Sequence, residues 1–186
     1  MRFTVMGIVM GAALAITSVP ANAAWHSYIN RFYGFSFEAP GDVKTEKTKY
    51  SAQMAGENND GVIYRSIDDN IEYKVTVVDF TPRAGEGAVL LGEATFQFQN
   101  NKKLLMDTFG RVDGMYGRKL AVDQPNNGGR TLGAFYFING HLISLQATVL
   151  PANGDYGTPD MGRFVDSLAF RPDRAESGST DLTVPQ

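Results

Sequence analysis

The strongest constraint on the fold is a hairpin signal between residues 130 and 150. Two segments rich in strand-forming residues, 130–138 and 141–150, are separated by Asn139-Gly140. Both residues tolerate the positive φ angles of a type I′ turn, which connects antiparallel strands through two residues. This loop fixes the register and predicts four cross-strand pairs on one face: Ile138 with His141, Tyr136 with Ile143, Ala134 with Leu145, and Leu132 with Ala147. We therefore expect an antiparallel sheet whose core includes that face.

The opposite face of the same hairpin is also apolar near its turn. Phe135, Phe137 and Leu142 lie there beside serine, glutamine and threonine residues. A hairpin that is apolar on both faces is either covered by a second layer or exposes a binding surface. If no helix covers it, these three residues, together with His141 beside the turn, are the candidate contact patch.

A second hairpin is predicted around the acidic segment 68–70. A three-residue loop at this point would pair Ile67 with Ile71. In that register one face carries a row of mostly apolar residues: Ile63, Ile67, Ile71, Tyr73, Val75 and Val77. Alternation of this kind predicts a sheet with one strongly buried face.

Strand and helix patterns follow one another along the rest of the chain. The remaining predicted elements are a strand at 34–40, a lysine-rich edge strand at 43–54, a helix at 87–105, strands at 106–112 and 115–122, and a closing helix at 161–168. Lysines on an edge strand discourage pairing with other chains. Thr158 or Asp160 would cap the closing helix.

The order of these elements and two short motifs resemble the PsbP-like (Mog/PsbP) α/β/α sandwich group. The motifs are Tyr-Gly-Phe-Ser-Phe-Glu-Ala-Pro at 33–40 and Arg-Phe-Val-Asp-Ser-Leu-Ala-Phe at 163–170. The group contains photosystem accessory proteins, Mog-type Ran-binding proteins and exported bacterial proteins of unknown role. The resemblance, over residues 25–170, implies an α+β fold in which helices flank an antiparallel sheet. It also implies a non-catalytic binding or accessory role, although a fold is a poor guide to function.

The first 23 residues have the features of a secretory signal peptide. Arg2 precedes an apolar run, and Ala21-Asn22-Ala23 fits the small-residue rule for cleavage. The run is short for a bilayer span, so we expect cleavage near Ala23 and an exported, periplasmic or extracellular protein. The predicted organisation is a signal peptide at 1–23, a single α+β domain at 24–172 and a disordered polar tail at 173–186.

Composition and charge exclude several functional classes. The chain has no cysteine, which rules out disulfides, thiol catalysis and cysteine-ligated metals, and its two histidines cannot form a three-histidine centre. Its 20 acidic residues outnumber 17 basic residues, which argues against nucleic-acid binding. No stretch after the signal peptide is apolar enough to cross a membrane. A non-enzymatic binding or accessory domain fits these limits, with a protein or small-molecule partner that the sequence leaves unidentified.

Two alternatives carry specific chemistry. His141 could act as a general base in a small exported hydrolase or isomerase if Asp166 or a tyrosine lay within reach, although a partly buried structural histidine is the expectation. Cleavage after Ala23 would also leave Ala24-Trp25-His26 at the new N-terminus. An amine, two backbone nitrogens and a third-position imidazole can enclose Cu(II) or Ni(II) in a square plane.

Overall fold

A seven-stranded antiparallel sheet forms the centre of the molecule. The computed structural model describes residues 23–52, 57–170 and 178–185. The strands of this sheet are β3 Lys44–Ala52, β4 Glu57–Asp68, β5 Ile71–Asp79, β6 Lys103–Val112, β7 Met115–Asp123, β8 Arg130–Ile138 and β9 His141–Val149. They lie in the order β3-β4-β5-β9-β8-β7-β6, and every neighbouring pair is antiparallel. The predicted lysine-rich edge strand is confirmed as β3.

The turn between β8 and β9 closes as the sequence predicts. Asn139 and Gly140 have φ angles of 50° and 81°, the left-handed values that a type I′ turn requires. All four predicted cross-strand pairs are present. The hairpin occupies the middle of the sheet, so its register sets the position of the core on both sides.

The register predicted for the hairpin of β4 and β5 is wrong by one residue. Asp68 pairs with Ile71, which leaves a two-residue turn whose φ angles are 45° and 56°. Because successive side chains alternate between faces, this shift exchanges the two faces of β4. Ile67 is consequently 65% exposed, and Tyr64 lies in the core in its place.

One helix covers one face of the sheet. A 3-10 helix at Thr81–Glu86 leads into α1, Gly87–Gln99, which lies mainly on β7, β8 and β9. Its buried residues Leu90, Ala94 and Phe98 recur every fourth position and therefore share one side of the helix. The ring of Phe98 meets that of Phe135 edge-on at 5.0 Å between centroids.

The predicted helix over 87–105 is too long by six residues. The backbone leaves the helix at Asn100, whose φ of −58° and ψ of 132° are extended, and Asn101 then adopts a left-handed φ of 57°. The chain then enters β6 at Lys103. Leu105 therefore lies on an exposed strand rather than on the buried side of a helix.

A mixed layer covers the opposite face of the sheet. It contains a short helix, α2 Pro159–Asp166, and a three-stranded sheet formed by β1 Trp25–Asn30, β2 Phe35–Pro40 and β10 Thr180–Asp181. Thr158 caps α2, as predicted, by accepting a hydrogen bond from the backbone N–H of Asp160 at 3.4 Å. The fold is therefore sheet-dominated α+β, and the expectation of helices on both sides is met only loosely.

Part of the predicted disordered tail is ordered in the structure. β10 pairs in parallel with β1, and the N–H of Leu182 donates to the carbonyl of Ile29 at 2.8 Å. Leu182 and Val184 also pack against the main core. Apolar residues inside an otherwise polar segment explain this difference. The predicted signal peptide lies outside the described residues, apart from Ala23.

Candidate functional site

The helix α1 leaves a cleft of about 280 Å³ between itself and the β3–β5 side of the sheet. Alternation along the strands brings polar residues to this cleft, because residues two apart share a face. Lys74 and Thr76 of β5 lie directly opposite Gln146 and Ser144 of β9. The sheet therefore lines the cleft with a compact polar surface.

The floor of the cleft is apolar and partly aromatic. Phe98 of α1, Phe135 of β8 and Leu142 of β9 line it, and all three belong to the core under α1. An apolar floor with a few polar groups above it is the usual composition of a small-molecule site.

Two lysines enter the cleft from different elements. Lys74 comes from β5, and Lys102 follows α1, where its Nζ donates to the carbonyl oxygen of Phe98 at 2.6 Å and lies 4.8 Å from that ring's centroid. Burial lowers the pKa of Lys102, and the charge of Lys74 lowers it further. Burial also lowers the pKa of Lys74; the charge of Glu72 opposes that effect and the charge of Arg65 adds to it. The positive charge of Lys74 therefore acts on Lys102 inside one cavity.

Two carboxylates near the lysines, Glu72 and Glu93, lie outside the lining of the cleft and have other close partners. Glu72 lies 3.1 Å from the guanidinium of Arg65. Glu93 of α1 accepts a hydrogen bond from Gln97, whose amide also donates to the backbone oxygen of Ser51 on β3. These contacts tie α1 to the edge strand. Within the described part of the chain, neither Lys74 nor Lys102 forms an ion pair with a carboxylate.

Tyr50 completes the cleft at its β3 end. Its ring meets that of Phe80 edge-on, with 5.9 Å between the ring centroids. Its hydroxyl is buried and has no hydrogen-bond partner among the described residues. Burial, and next the charge of Glu93, raises the pKa of Tyr50 to about 12, so the hydroxyl stays a donor at neutral pH. A buried donor without a partner is costly, and an acceptor in the cleft would remove that cost.

The predicted contact patch is not an exposed surface. Phe135 and Leu142 are each 3% exposed, because α1 covers them, and Phe137 is half-buried beneath Gly87 at the start of that helix. The first of the two alternatives for this hairpin, a covering layer, is therefore what the structure shows. Phe135 and Leu142 contribute to a site only as the floor of the cleft.

His141 lies on the other face of the sheet, away from those three residues. Its imidazole meets the ring of Tyr33 at 5.1 Å, and its Nε2 lies 4.0 Å from Oδ1 of Asp79. That same Oδ1 accepts two hydrogen bonds from Thr81, which lower the pKa of Asp79. Asp166, the carboxylate predicted for an enzymatic role, instead forms an ion pair with Lys119.

Tyr33 and Asp79 border a larger cleft, of about 470 Å³, on this second face. Its charged lining includes Lys49 and Asp60, which are paired with each other. None of the contacts found among the described residues brings a serine or threonine hydroxyl to the imidazole of His141. The predicted structural role of this histidine therefore fits its surroundings better than catalysis does.

The residues Ala24, Trp25 and His26 lie where β1 begins. The carbonyl of Ala24 accepts from the N–H of Gly41, and His26 pairs with Ala39 of β2. Binding Cu(II) or Ni(II) would require the backbone nitrogens of Trp25 and His26. The N–H of His26 belongs to the pairing with β2, so metal binding would compete with that contact, whereas Trp25 lies opposite Pro40 in a non-hydrogen-bonded pair. The metal hypothesis stays a prediction.

Sequence reasoning missed the lysine cleft. In the predicted hairpin Lys74 alternates with the apolar row of residues 71–77 and would be an ordinary outward-facing polar residue, and Lys102 falls inside a predicted helix that the structure ends earlier. The available signal was the row Glu72, Lys74 and Thr76, which faces a side of the sheet that a helix covers only in part.

Comparison with known proteins supports the fold. No protein-family model matches the chain, and no curated protein matches it. Among solved structures it is similar to cyanobacterial PsbP (CyanoP) from Synechocystis sp. PCC 6803, with a TM-score of 0.53 and 13% sequence identity, over 86% of this chain and 97% of that chain. The chain thus has the PsbP-like fold, as the motifs at 33–40 and 163–170 imply.

None of the helices in residues 23–52, 57–170 and 178–185 is long and apolar enough to span a membrane.

Proposed function

We propose that the protein is an exported, non-enzymatic binding module that holds a small organic anion in the cleft between α1 and the sheet. The observation that carries this proposal is the convergence of Lys74 and Lys102 above an apolar floor. Two half-buried cations in one cavity repel each other, and an anion between them would remove that repulsion and replace lost hydration.

The other groups of the cleft define the ligand's chemistry. The hydroxyls of Tyr50, Thr76 and Ser144 can donate to carboxylate or phosphate oxygens. Phe98, Phe135 and Leu142 favour an aromatic or aliphatic body attached to that anionic group. The volume of about 280 Å³ limits the ligand to a small molecule.

Two lines of support concern the class of protein. The PsbP-like fold agrees with the accessory or binding role that the resemblance implies. The enzymatic alternative depends on His141, whose neighbour Asp79 already accepts two hydrogen bonds from Thr81.

Export depends on the sequence of residues 1–23. We expect the protein recovered from the cell envelope or the medium to begin at Ala24 by mass spectrometry, and a product that retains residues 1–23 would contradict export by cleavage.

Benzoate and benzamide provide a matched pair of probes for the cleft. They share a ring and differ in charge, so a site built around two lysines should bind benzoate at least tenfold more tightly. We expect benzoate to shift the amide resonances of Thr76, Ser144 and Lys102 in a saturable manner, and added salt to weaken its binding. Equal affinity for the two probes would contradict an anion site.

Lysine variants test which residues carry the charge recognition. We expect Lys74→Met and Lys102→Met each to weaken benzoate binding about tenfold, the loss of one charge-assisted hydrogen bond. Lys103→Met is the control, because the side chain of the adjacent Lys103 is 76% exposed and lies outside the cleft. An equal loss in Lys103→Met would show that only the overall charge of the protein matters.

A further inference from the structure

The two edges of the large sheet differ in their protection against pairing. The edge strand β3 carries Lys44, Lys47 and Lys49. In the part of the chain that the structure describes, β6 ends the sheet on the other side, and its side chains include exposed Leu104, Leu105 and Phe109. An exposed edge with large apolar residues is a template for another strand.

The backbone of β6 is oriented for such pairing. The turn at Asp113-Gly114 has two residues, so its flanking pair, Val112 with Met115, exchanges hydrogen bonds. Hydrogen-bonded and non-hydrogen-bonded pairs alternate from that point. The N–H and C=O groups of Phe109 therefore point away from β7, and so do those of Asp107 and Arg111.

We propose that β6 pairs antiparallel with β6 of a second copy of this chain, with Phe109 on the twofold axis. In this register Asp107, whose carboxylate already accepts hydrogen bonds from the guanidinium of Arg118 in its own chain, faces Arg111 of the second copy. The symmetry repeats that pair. The side chains of Asp107, Phe109 and Arg111 share one face of the strand, so both ion pairs flank the two Phe109 rings. On the other face Met106 meets Val112 of the second copy.

Charge selects this register over its neighbours. A twofold axis at Asp107 would oppose two Asp107 carboxylates and set Lys103 against Arg111 of the second copy. An axis at Thr108 would oppose Asp107 to Phe109, and an axis at Gly110 would oppose Asp107 to Asp113. Like charges directly opposite each other destabilise a strand pair, whereas opposite charges stabilise it. The axis at Thr108 would also set Lys103 opposite Asp113 of the turn, so the axis at Phe109 is the one in this set that places Asp107 opposite a base.

The exposed side chains around the axis have the composition of a binding hot spot. Phe109 is 81% exposed, and the guanidinium of Arg118 lies 5.1 Å from the centroid of its ring. Tyr116 is also exposed, and the guanidinium of Arg111 lies 5.2 Å from the centroid of its ring. Aromatic residues and arginine dominate the energetics of protein interfaces. Joining the two edges would produce one continuous sheet through about six backbone hydrogen bonds.

Sedimentation velocity of the purified protein tests whether the pair forms. We expect a monomer at about 10 µM and a growing dimer fraction toward about 1 mM, as for a weak, concentration-dependent contact. Monomers throughout this range would overturn the proposal.

A charge exchange tests the register. Arg111→Asp places two acids opposite each other and Asp107→Arg places two bases opposite each other, so each variant alone should stay monomeric at the highest concentration. An equimolar mixture restores both acid–base pairs and should recover the dimer. Dimerisation of either variant alone to the wild-type extent, or no dimer in the mixture, would overturn this register.

Cysteine cross-linking tests the axis without depending on the charge variants. The chain has no native cysteine, and residues opposite each other in a hydrogen-bonded pair lie about 5.5 Å apart at Cα, within disulfide range. We expect Phe109→Cys to form a disulfide-linked dimer under mild oxidation and Leu105→Cys to form little. Comparable cross-linking by both variants would contradict an axis at Phe109.

Discussion

Tyr50 has a buried hydroxyl for which the described residues supply no hydrogen-bond partner. Removing that hydroxyl should relieve the cost of burying it. We therefore expect Tyr50→Phe to raise the free energy of unfolding at pH 7 by up to about 1 kcal/mol in urea titrations. A loss of stability in this variant would mean that the hydroxyl has a partner in solution.

The raised pKa of Tyr50 predicts that the free energy of unfolding depends on pH in the alkaline range. Tyrosine in the unfolded chain has a pKa of about 10, and the folded pKa of Tyr50 is about 12, so the folded state holds this proton more tightly. The resulting stabilisation is complete below pH 10 and is lost as the pH rises from 10 to 12. We expect the wild type to lose more stability than Tyr50→Phe over this window. Parallel losses in urea titrations at pH 10, 11 and 12 would contradict the raised pKa.

Phe135 and Phe109 differ in burial although both lie on strands of one sheet. Phe135 is fully covered by α1, so Phe135→Ala should lower the free energy of unfolding by about 3–5 kcal/mol. Phe109→Ala is the matched control, and a change within about 0.5 kcal/mol is expected because its ring is largely in solvent. Chemical denaturation below the concentration at which dimers form measures both. Similar losses would show that Phe109 is buried in the solution state.

At the level of the elements, α1 contains a glycine that nothing in its surroundings requires. A Cβ added at Gly92 would meet no atom within 4 Å, and the residue lies in the middle of the helix. Gly92→Ala should therefore stabilise the protein by about 0.5–1 kcal/mol, because alanine loses less backbone entropy. At Gly117 of β7 a Cβ would lie 2.3 Å from the backbone oxygen of Phe135, so Gly117→Ala should destabilise the fold. Thermal melting of the two variants should move Tm in opposite directions.

The elements also show where sequence reasoning succeeds. The hairpin of β8 and β9 could be predicted to the residue, because Asn139-Gly140 permits one turn type and one register. The turn at 68–70 offered no glycine, and apolar residues at both odd and even positions of β4 left two registers possible. Tertiary packing of Tyr64 decided between them.

The candidate cleft could not be predicted in the same way. Tyr50, Lys74 and Lys102 lie far apart in the sequence and meet only because β3, β5 and the end of α1 converge. No local pattern encodes that convergence. The fold class, by contrast, follows from hairpin periodicity and two motifs, which depend on neighbouring residues.

At the scale of the whole molecule, the C-terminal segment contributes to the core. The side chain of Leu182 packs against the core, and its N–H donates to the backbone of β1. The neighbouring Thr183 is exposed. We expect Leu182→Ala to lower the free energy of unfolding by about 1–2 kcal/mol, from the lost apolar burial, and Thr183→Ala to leave it unchanged. Equal behaviour of the two variants in denaturant would show that the segment is not docked in solution.

The parallel pairing of β1 with β10 puts both terminal segments on the side of the sheet opposite α1. Because the two strands run in the same direction, the chain ends lie at opposite ends of this layer: the N–H of Ala23 donates to Asp68, whereas Val184 lies near Tyr33. A linker that joined them in a circularly permuted protein would therefore have to run the length of the strand pair. A domain attached to a support through either terminus would also turn α1 away from that support. Its lysine cleft would then face the surrounding medium, where a dissolved ligand could reach it.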